Sequence, residues 1–242
     1  MYLSAIDEDA YEDLLFQLLR CSDKKQAALV AQKHPSITFR RQKQLAIVRL
    51  TAGAKAPLRR IKDLLRQYLY RHISIVMEDQ LVIMLDPGQL NKQTMENLEI
   101  LARNQQFQIG FSFPFEQISF VPSAYRQANL CLDMENQHAL VCFEHCLLPY
   151  IAKICSKEQD SSFYIHPIIT KIKEYDQTYH VEYLETLRAY IDSAGSMKAT
   201  ATALGVHYNT IKYRMSVIEE IAGESIRENG PLLASLYFSL LF

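Results

Sequence analysis

The sequence predicts an α+β protein in two parts, a mixed sheet with helices packed against it and then an all-helical module. Three observations predict it. Between Gln44 and Phe143, short β-branched runs interleave with longer runs of helical period, in the order strand, helix, strand, strand, helix, strand, helix, strand. After Phe143 every periodic segment is helical. Within that last part, Gly205 separates two helical segments at the spacing of a tight corner.

The elements follow in order. An acidic start, Asp7 to Asp13, leads into Leu14, Leu15, Leu18 and Leu19 on one helical face, and Asp23 is placed to cap a second helix over Lys24 to Gln32. Pro35 closes this helical segment, residues 1–35. QLAIVRL, from Gln44, reads as a strand. PLRRIKDLLRQYLYR reads as an amphipathic helix with Leu58, Ile61, Leu64, Leu65, Tyr68 and Leu69 inward. HISIVMEDQLVIMLD gives two strands joined by a turn at Glu78 to Gln80. A helix over Asn91 to Asn104, a strand over Phe107 to Phe113, a helix from Pro122 to Glu135 and a short strand over Ala139 to Phe143 complete the sheet domain, residues 36–145. Residues 146–180 read as a helical connector: EHCLLPYIAKICS is a helix with a break expected at Pro149, and Pro167 opens another reaching Tyr175. Residues 181–242 form the last domain, beginning with a helix over Val181 to Asp192 and ending in PLLASLYFSLLF, which Pro231 opens as a helix. Its apolar side chains cover more than one face, so this helix is expected to serve a dimer interface as well as the core.

A chain of 242 residues that is 49% hydrophobic can bury a sizeable core and holds two domains. No apolar run reaches the roughly 18 residues that span a bilayer, and MYLSAIDEDAYED lacks the positive flank of a signal peptide, so a cytoplasmic location without membrane contact is expected. The five cysteines are odd in number and scattered, as reduced thiols are in a cytosol. Cys142, His145 and Cys146 have no second ligand pair at suitable spacing, and no metal or other cofactor is assigned.

The chemistry concentrates in GSMKATATALGVHYNTIKYRM, Gly195 to Met215. Ser196 is placed to cap a helix over Met197 to Leu204, and Gly205 supplies the left-handed turn. His207 or Tyr208 then opens a second helix running to Glu220. Leu204, Val206, Ile211, Met215 and Ile218 supply apolar contacts at the corner, and Ala201 lets the helices approach. The opposite face carries Asn209, Lys212, Tyr213 and Ser216, with Tyr208 and Thr210 at its leading edge. Amides, hydroxyls and cations so placed match the donors, acceptors and methyl groups of a DNA major groove. From Val181 to Phe242 five Lys and Arg oppose seven carboxylates, yet between Gly195 and Ile218 Lys198, Lys212 and Arg214 face none. Three cations per chain neutralise few phosphates, so a homodimer on two half-sites of double-stranded DNA is expected.

LETLRAYIDSAGSMKATATALGVHYNTIKYRMSVIEEIAG, Leu184 to Gly223, resembles the C-terminal helix-turn-helix domain of the PucR/CdaR family of bacterial transcription regulators, itself Fis-like. The segment Ile109 to Met134 resembles the degenerate GGDEF-like, nucleotide-cyclase-like domain that precedes it in that family. The resemblance implies base contacts at Tyr208, Asn209, Thr210, Lys212 and Tyr213, and phosphate contacts at Ser196, Lys198 and Arg214. Tyr208 stands where the family usually has an arginine, which removes one cation from the reading face. The rival reading is a protein-interaction scaffold that keeps the fold without useful DNA binding.

No enzyme is expected. A diguanylate cyclase needs a glycine pair to approach phosphates and acidic residues to hold magnesium, whereas the corresponding hairpin, MEDQL, has no glycine. One other charge feature stands out. Arg40, Arg41, Lys43, Lys55, Arg59, Arg60, Lys62 and Arg66 far outnumber Asp63, and they read either as a solvated face or as a contact for an anion: a nucleotide-like small-molecule effector, DNA flanking the half-site or the acidic surface of the partner's C-terminal domain.

Overall fold

The computed structural model describes residues 5–35, 41–70, 72–134 and 138–242; Arg40 and Glu135 lie outside them. The chain divides into two compact units, Met1–Leu147 and Leu148–Phe242.

The first unit is built on a five-stranded sheet, β1 (Gln44–Leu50), β2 (His72–Met77), β3 (Gln80–Leu85), β4 (Phe107–Phe111) and β5 (Leu140–Cys142), in the spatial order β2-β3-β1-β4-β5. All neighbours are antiparallel except β4 and β5, which pair in parallel. Parallel neighbours need a crossover, and helix α5 (Val121–Asp133) supplies it. The remaining helices of this unit are α1 (Ala5–Leu19), α2 (Lys24–Gln32), α3 (Leu58–Leu65) and α4 (Lys92–Gln105).

Strands β1 from Leu45 to Val48 and β3 from Leu81 to Leu85 are continuously apolar because both faces are covered. Leu45 and Ile47 of β1, with Val82 and Met84 of β3, pack against Leu14, Leu15 and Leu18 of α1 and Val121, Ala124 and Ala128 of α5. The alternate residues Ala46, Val48, Leu81, Ile83 and Leu85 pack against Ile61 and Leu65 of α3 and Leu98 and Ala102 of α4. Gly110 fixes how closely α5 lies on β4: a Cβ there would stand 2.2 Å from the Ala128 carbonyl oxygen.

The α3 segment is shorter than its pattern. The helix stops at Leu65, yet Leu69 is still buried in the same core through the turn that follows. The hairpin turn consists of Glu78 and Asp79, with Glu78 at φ 54°, and Gln80 is already in β3. Strand β2 is a sheet edge. There Lys62 of α3 donates to the Ser74 carbonyl at 2.7 Å and lies 3.4 Å from Glu12 of α1, so the cation occupies a backbone acceptor that another strand would need. Lys62 is therefore a structural residue, not part of a solvated basic face.

Helix α6 (Phe143–Glu158) is continuous through Pro149, and the expected break does not occur. Proline removes one hydrogen bond from the ladder, and a helix of 16 residues has enough others to carry it past the gap. The second unit then runs through a 3-10 turn at Ser161–Tyr164, α7 (Pro167–Tyr179), α8 (Tyr183–Asp192), α9 (Met197–Ala203), α10 (Tyr208–Ala222) and α11 (Gly230–Ser239). Helix α7 runs four residues beyond Tyr175, ending where His180 takes the left-handed conformation. One core holds this unit: Ile168, Ile172, Leu187, Ile211, Met215, Ile218, Ile226, Leu232 and Leu236 are all in it.

Helix α11 is committed to that core. Leu232, Leu236 and Leu240 are buried, and Arg188 donates to the Leu240 carbonyl at 3.0 Å. On its other side Phe238 and Phe242 join Tyr164, whose ring stacks on Phe242 at 4.7 Å. Its exposed positions are Gly230, Pro231, Ala234 and Ser235. The leucines read from the sequence as an apolar surplus thus lie largely in the core of this unit, with Leu233, Tyr237, Phe238, Leu241 and Phe242 half-buried.

Candidate nucleic-acid interface

The α9–α10 corner is held by caps at both helix starts and by a backbone bond through the turn. Ser196 Oγ accepts from Ala199 N at 3.3 Å, and His207 Nδ1 accepts from Asn209 N at 3.2 Å. Gly205 sits at φ 65°, a conformation that disfavours any other residue, and Val206 N bonds back to the Ala201 carbonyl at 3.0 Å. Ala201, Ile211, Met215 and Ile218 are buried beneath, with Leu204 and Val206 packed at their rim. A carboxylate from α7 sets the neighbouring helix: Asp176 accepts from Tyr183 N and Leu184 N at 2.9 Å, capping α8, whose own N-cap Glu182 makes no side-chain cap.

The predicted contact residues fall into two groups. Tyr208, Asn209, Lys212, Tyr213 and Ser216 are exposed on one face of α10, with Thr210 half-buried at its edge. Ser196 and Lys198 are exposed at the start of α9. Arg214 is different. It is half-buried and donates to Thr186 Oγ1 of α8 at 3.0 Å, bracing α10 from behind. Burial pushes the Tyr183 phenol up, assisted by the neighbouring charge and hydrogen bond of Tyr213, so Tyr213 keeps one contact with the fold beneath it.

Asn209, Lys212, Tyr213 and Ser216 line an open depression, and Arg227 lines it too. Arg227 belongs to the loop between α10 and α11 and was not singled out by sequence reasoning. The signal was present in Glu219, which continues the Asn209, Lys212, Ser216 stripe by three residues and so asked for a partner. Glu219 Oε1 accepts from Ser225 Oγ, Ile226 N and Arg227 N at 2.9 to 3.1 Å, and Oε2 accepts from Arg227 Nε and Nη2. Burial works to raise the Glu219 pKa, but these hydrogen bonds and the Arg227 charge outweigh it and hold the carboxyl at about 2.

In the first unit, Gln80, Tyr125, Asn129 and Arg49 form a closed network at the hairpin end of the sheet. Gln80 Nε2 and Arg49 Nη2 donate to Asn129 Oδ1 at 2.7 and 3.0 Å, and the Tyr125 hydroxyl donates to Gln80 Oε1 at 3.0 Å. Cys146 is buried with Cys131, Val141 and Phe143, while the ligand atoms of Cys142, Glu144 and His145 lie within 4.8 Å of one another. No described helix is long and apolar enough to cross a membrane.

Fold and site together define a class, a helix-turn-helix protein with a GGDEF-like sheet domain. Residues 183–241 match the PucR C-terminal helix-turn-helix domain and residues 26–134 match the GGDEF-like domain. The chain thus carries a PucR-type helix-turn-helix domain and a GGDEF-like domain. Among its relatives, the DNA-binding transcriptional activator AdeR of Bacillus subtilis (strain 168) is 23% identical over 171 residues, 64% of this chain and 40% of that protein. The chain thus spans well under half the length of that relative. The crystal structure of a regulator of polyketide synthase expression from Bifidobacterium adolescentis aligns over 96% of both chains, with 16% identity and a TM-score of 0.38.

Proposed function

We propose that this protein regulates transcription by binding double-stranded DNA as a homodimer, with α10 in the major groove. The observation that carries the reading is the exposed face of α10. Its side chains are a cation, amide and hydroxyl donors and two aromatic rings, and it carries no carboxylate from Tyr208 to Ile218. Tyr208, Asn209, Thr210, Lys212 and Tyr213 contact bases. Ser196 contributes to phosphate binding, because its oxygen caps α9 while its hydroxyl proton remains to be donated, and Lys198 reaches phosphate as a point charge. Arg214 contributes least, with one nitrogen committed to Thr186. The first unit acts without catalysis, since its hairpin turn has no glycine and the polar groups beside it satisfy one another.

The test is binding of the full chain to genomic DNA fragments across a salt series. Lys212→Ala and Tyr213→Ala leave the melting temperature nearly unchanged and each cost about 1 to 3 kcal/mol at a selected site. Lys198→Ala weakens all DNA alike and reduces the salt slope by roughly one unit. Sequence-independent binding, or unchanged affinity in the Lys212 and Tyr213 variants, removes α10 from the function.

A further inference from the structure

We infer that Arg227 is a DNA-phosphate contact, held at the end of the α10 reading face by Glu219. The inference rests on the DNA-binding reading and adds to it a residue outside both helices of the corner. Three observations carry it. Arg227 shares one open depression with Asn209, Lys212, Tyr213 and Ser216, so an anion drawn to Lys212 meets it. The pair is exposed unequally: the Glu219 side chain is 12% accessible and that of Arg227 is 37%. The guanidinium is also only partly used, because Nε and Nη2 bond Glu219 while Nη1 has no hydrogen-bond partner among the described residues.

The arrangement solves an electrostatic problem in the sequence. Glu219 falls on the same stripe as Asn209, Lys212 and Ser216, and a bare carboxylate there repels the phosphate backbone. The fold covers it. Among the described residues, the hydrogen bonds to the Glu219 carboxylate all come from Ser225, Ile226 and Arg227, which turns the loop back over α10 and leaves a planar cation outermost. Glu219 is then a positioning residue. A guanidinium with two nitrogens fixed loses little freedom when a third donates to a phosphate oxygen, and its geometry suits that oxygen better than a lysine does. With Arg227 the reading surface gains one cation beyond Lys198, Lys212 and Arg214.

The experiment compares wild type with R227Q, R227K and the double variant E219Q/R227Q. Each full-length protein is titrated with a duplex selected by the wild type over a salt series, with thermal melting alongside. R227Q is expected to bind roughly tenfold more weakly at low salt and to lose about one unit of salt slope. R227K keeps the slope. The double variant replaces an ion pair by an amide pair, so net charge is unaltered and the loop retains a hydrogen-bonded partner. It is expected to lose the same unit of slope, which holds even if R227Q alone folds poorly. A double variant that binds with wild-type affinity and slope overturns the contact, and so does an R227K that loses as much slope as R227Q. Wild type that selects no duplex overturns the DNA reading itself, a result distinct from either.

Discussion

Glu219 illustrates how far one side chain's environment departs from its place in the sequence. In the chain it is one of two adjacent glutamates near the end of a helix; in the fold it is the acceptor for a whole loop. Its pKa is lowered from 4.5 to about 2, and a lowered carboxylate stabilises the native state above its unfolded pKa and stops doing so as pH falls through the folded one. The second unit is therefore expected to lose about 2 kcal/mol between roughly pH 5 and pH 2, after allowance for the exposed guanidinium. Glu219→Gln flattens that part of the profile, and melting followed by circular dichroism over this range checks it. The exposed face of α10 was legible in the sequence because helical period alone sorts Ile211, Met215 and Ile218 from Asn209, Lys212 and Ser216. Arg227 was not, because period ends with the helix and a loop obeys no such rule.

Among the elements, α5 and β4 meet through the absence of a side chain. Gly110→Ala places a methyl group against the Ala128 carbonyl, Cys131 and Leu132, none of which can retreat without moving α5 from the sheet. The substitution is expected to destabilise the first unit by about 3 kcal/mol. A urea titration of the full chain checks it, with the transition of the second unit unshifted. The strand and helix order was readable from pattern because β1 and β3 are buried on both faces and helices were needed to cover them. Element ends were less readable. Helix α6 passes Pro149 because one missing bond is a local cost, and α7 passes Tyr175 because no glycine stops it. What ends α7 is His180 in a left-handed conformation, with Asp176 carrying the chain into α8, a contact across seven residues that no local pattern announces.

On the scale of the molecule, the proposed dimer follows from the small number of cations that one copy of α10 would bring to the phosphates. Light scattering of the full chain is expected to give about twice its 28.0 kDa mass, and a folded monomer at micromolar concentration contradicts the dimer. The last helix, read from its composition as part of such an interface, turns its leucines into the core of its own unit. That changes what the end of the chain is for. Leu232, Leu236 and Leu240 lie in the same core as Ile211, Met215 and Ile218, which fix the angle of α10. A stop codon after Asn229 thus removes no residue of the proposed DNA surface, yet it opens a cavity beneath α10. Such a truncated product is expected to melt early and be cleared by proteases, so that its phenotype is that of a deleted gene and not of a monomeric regulator.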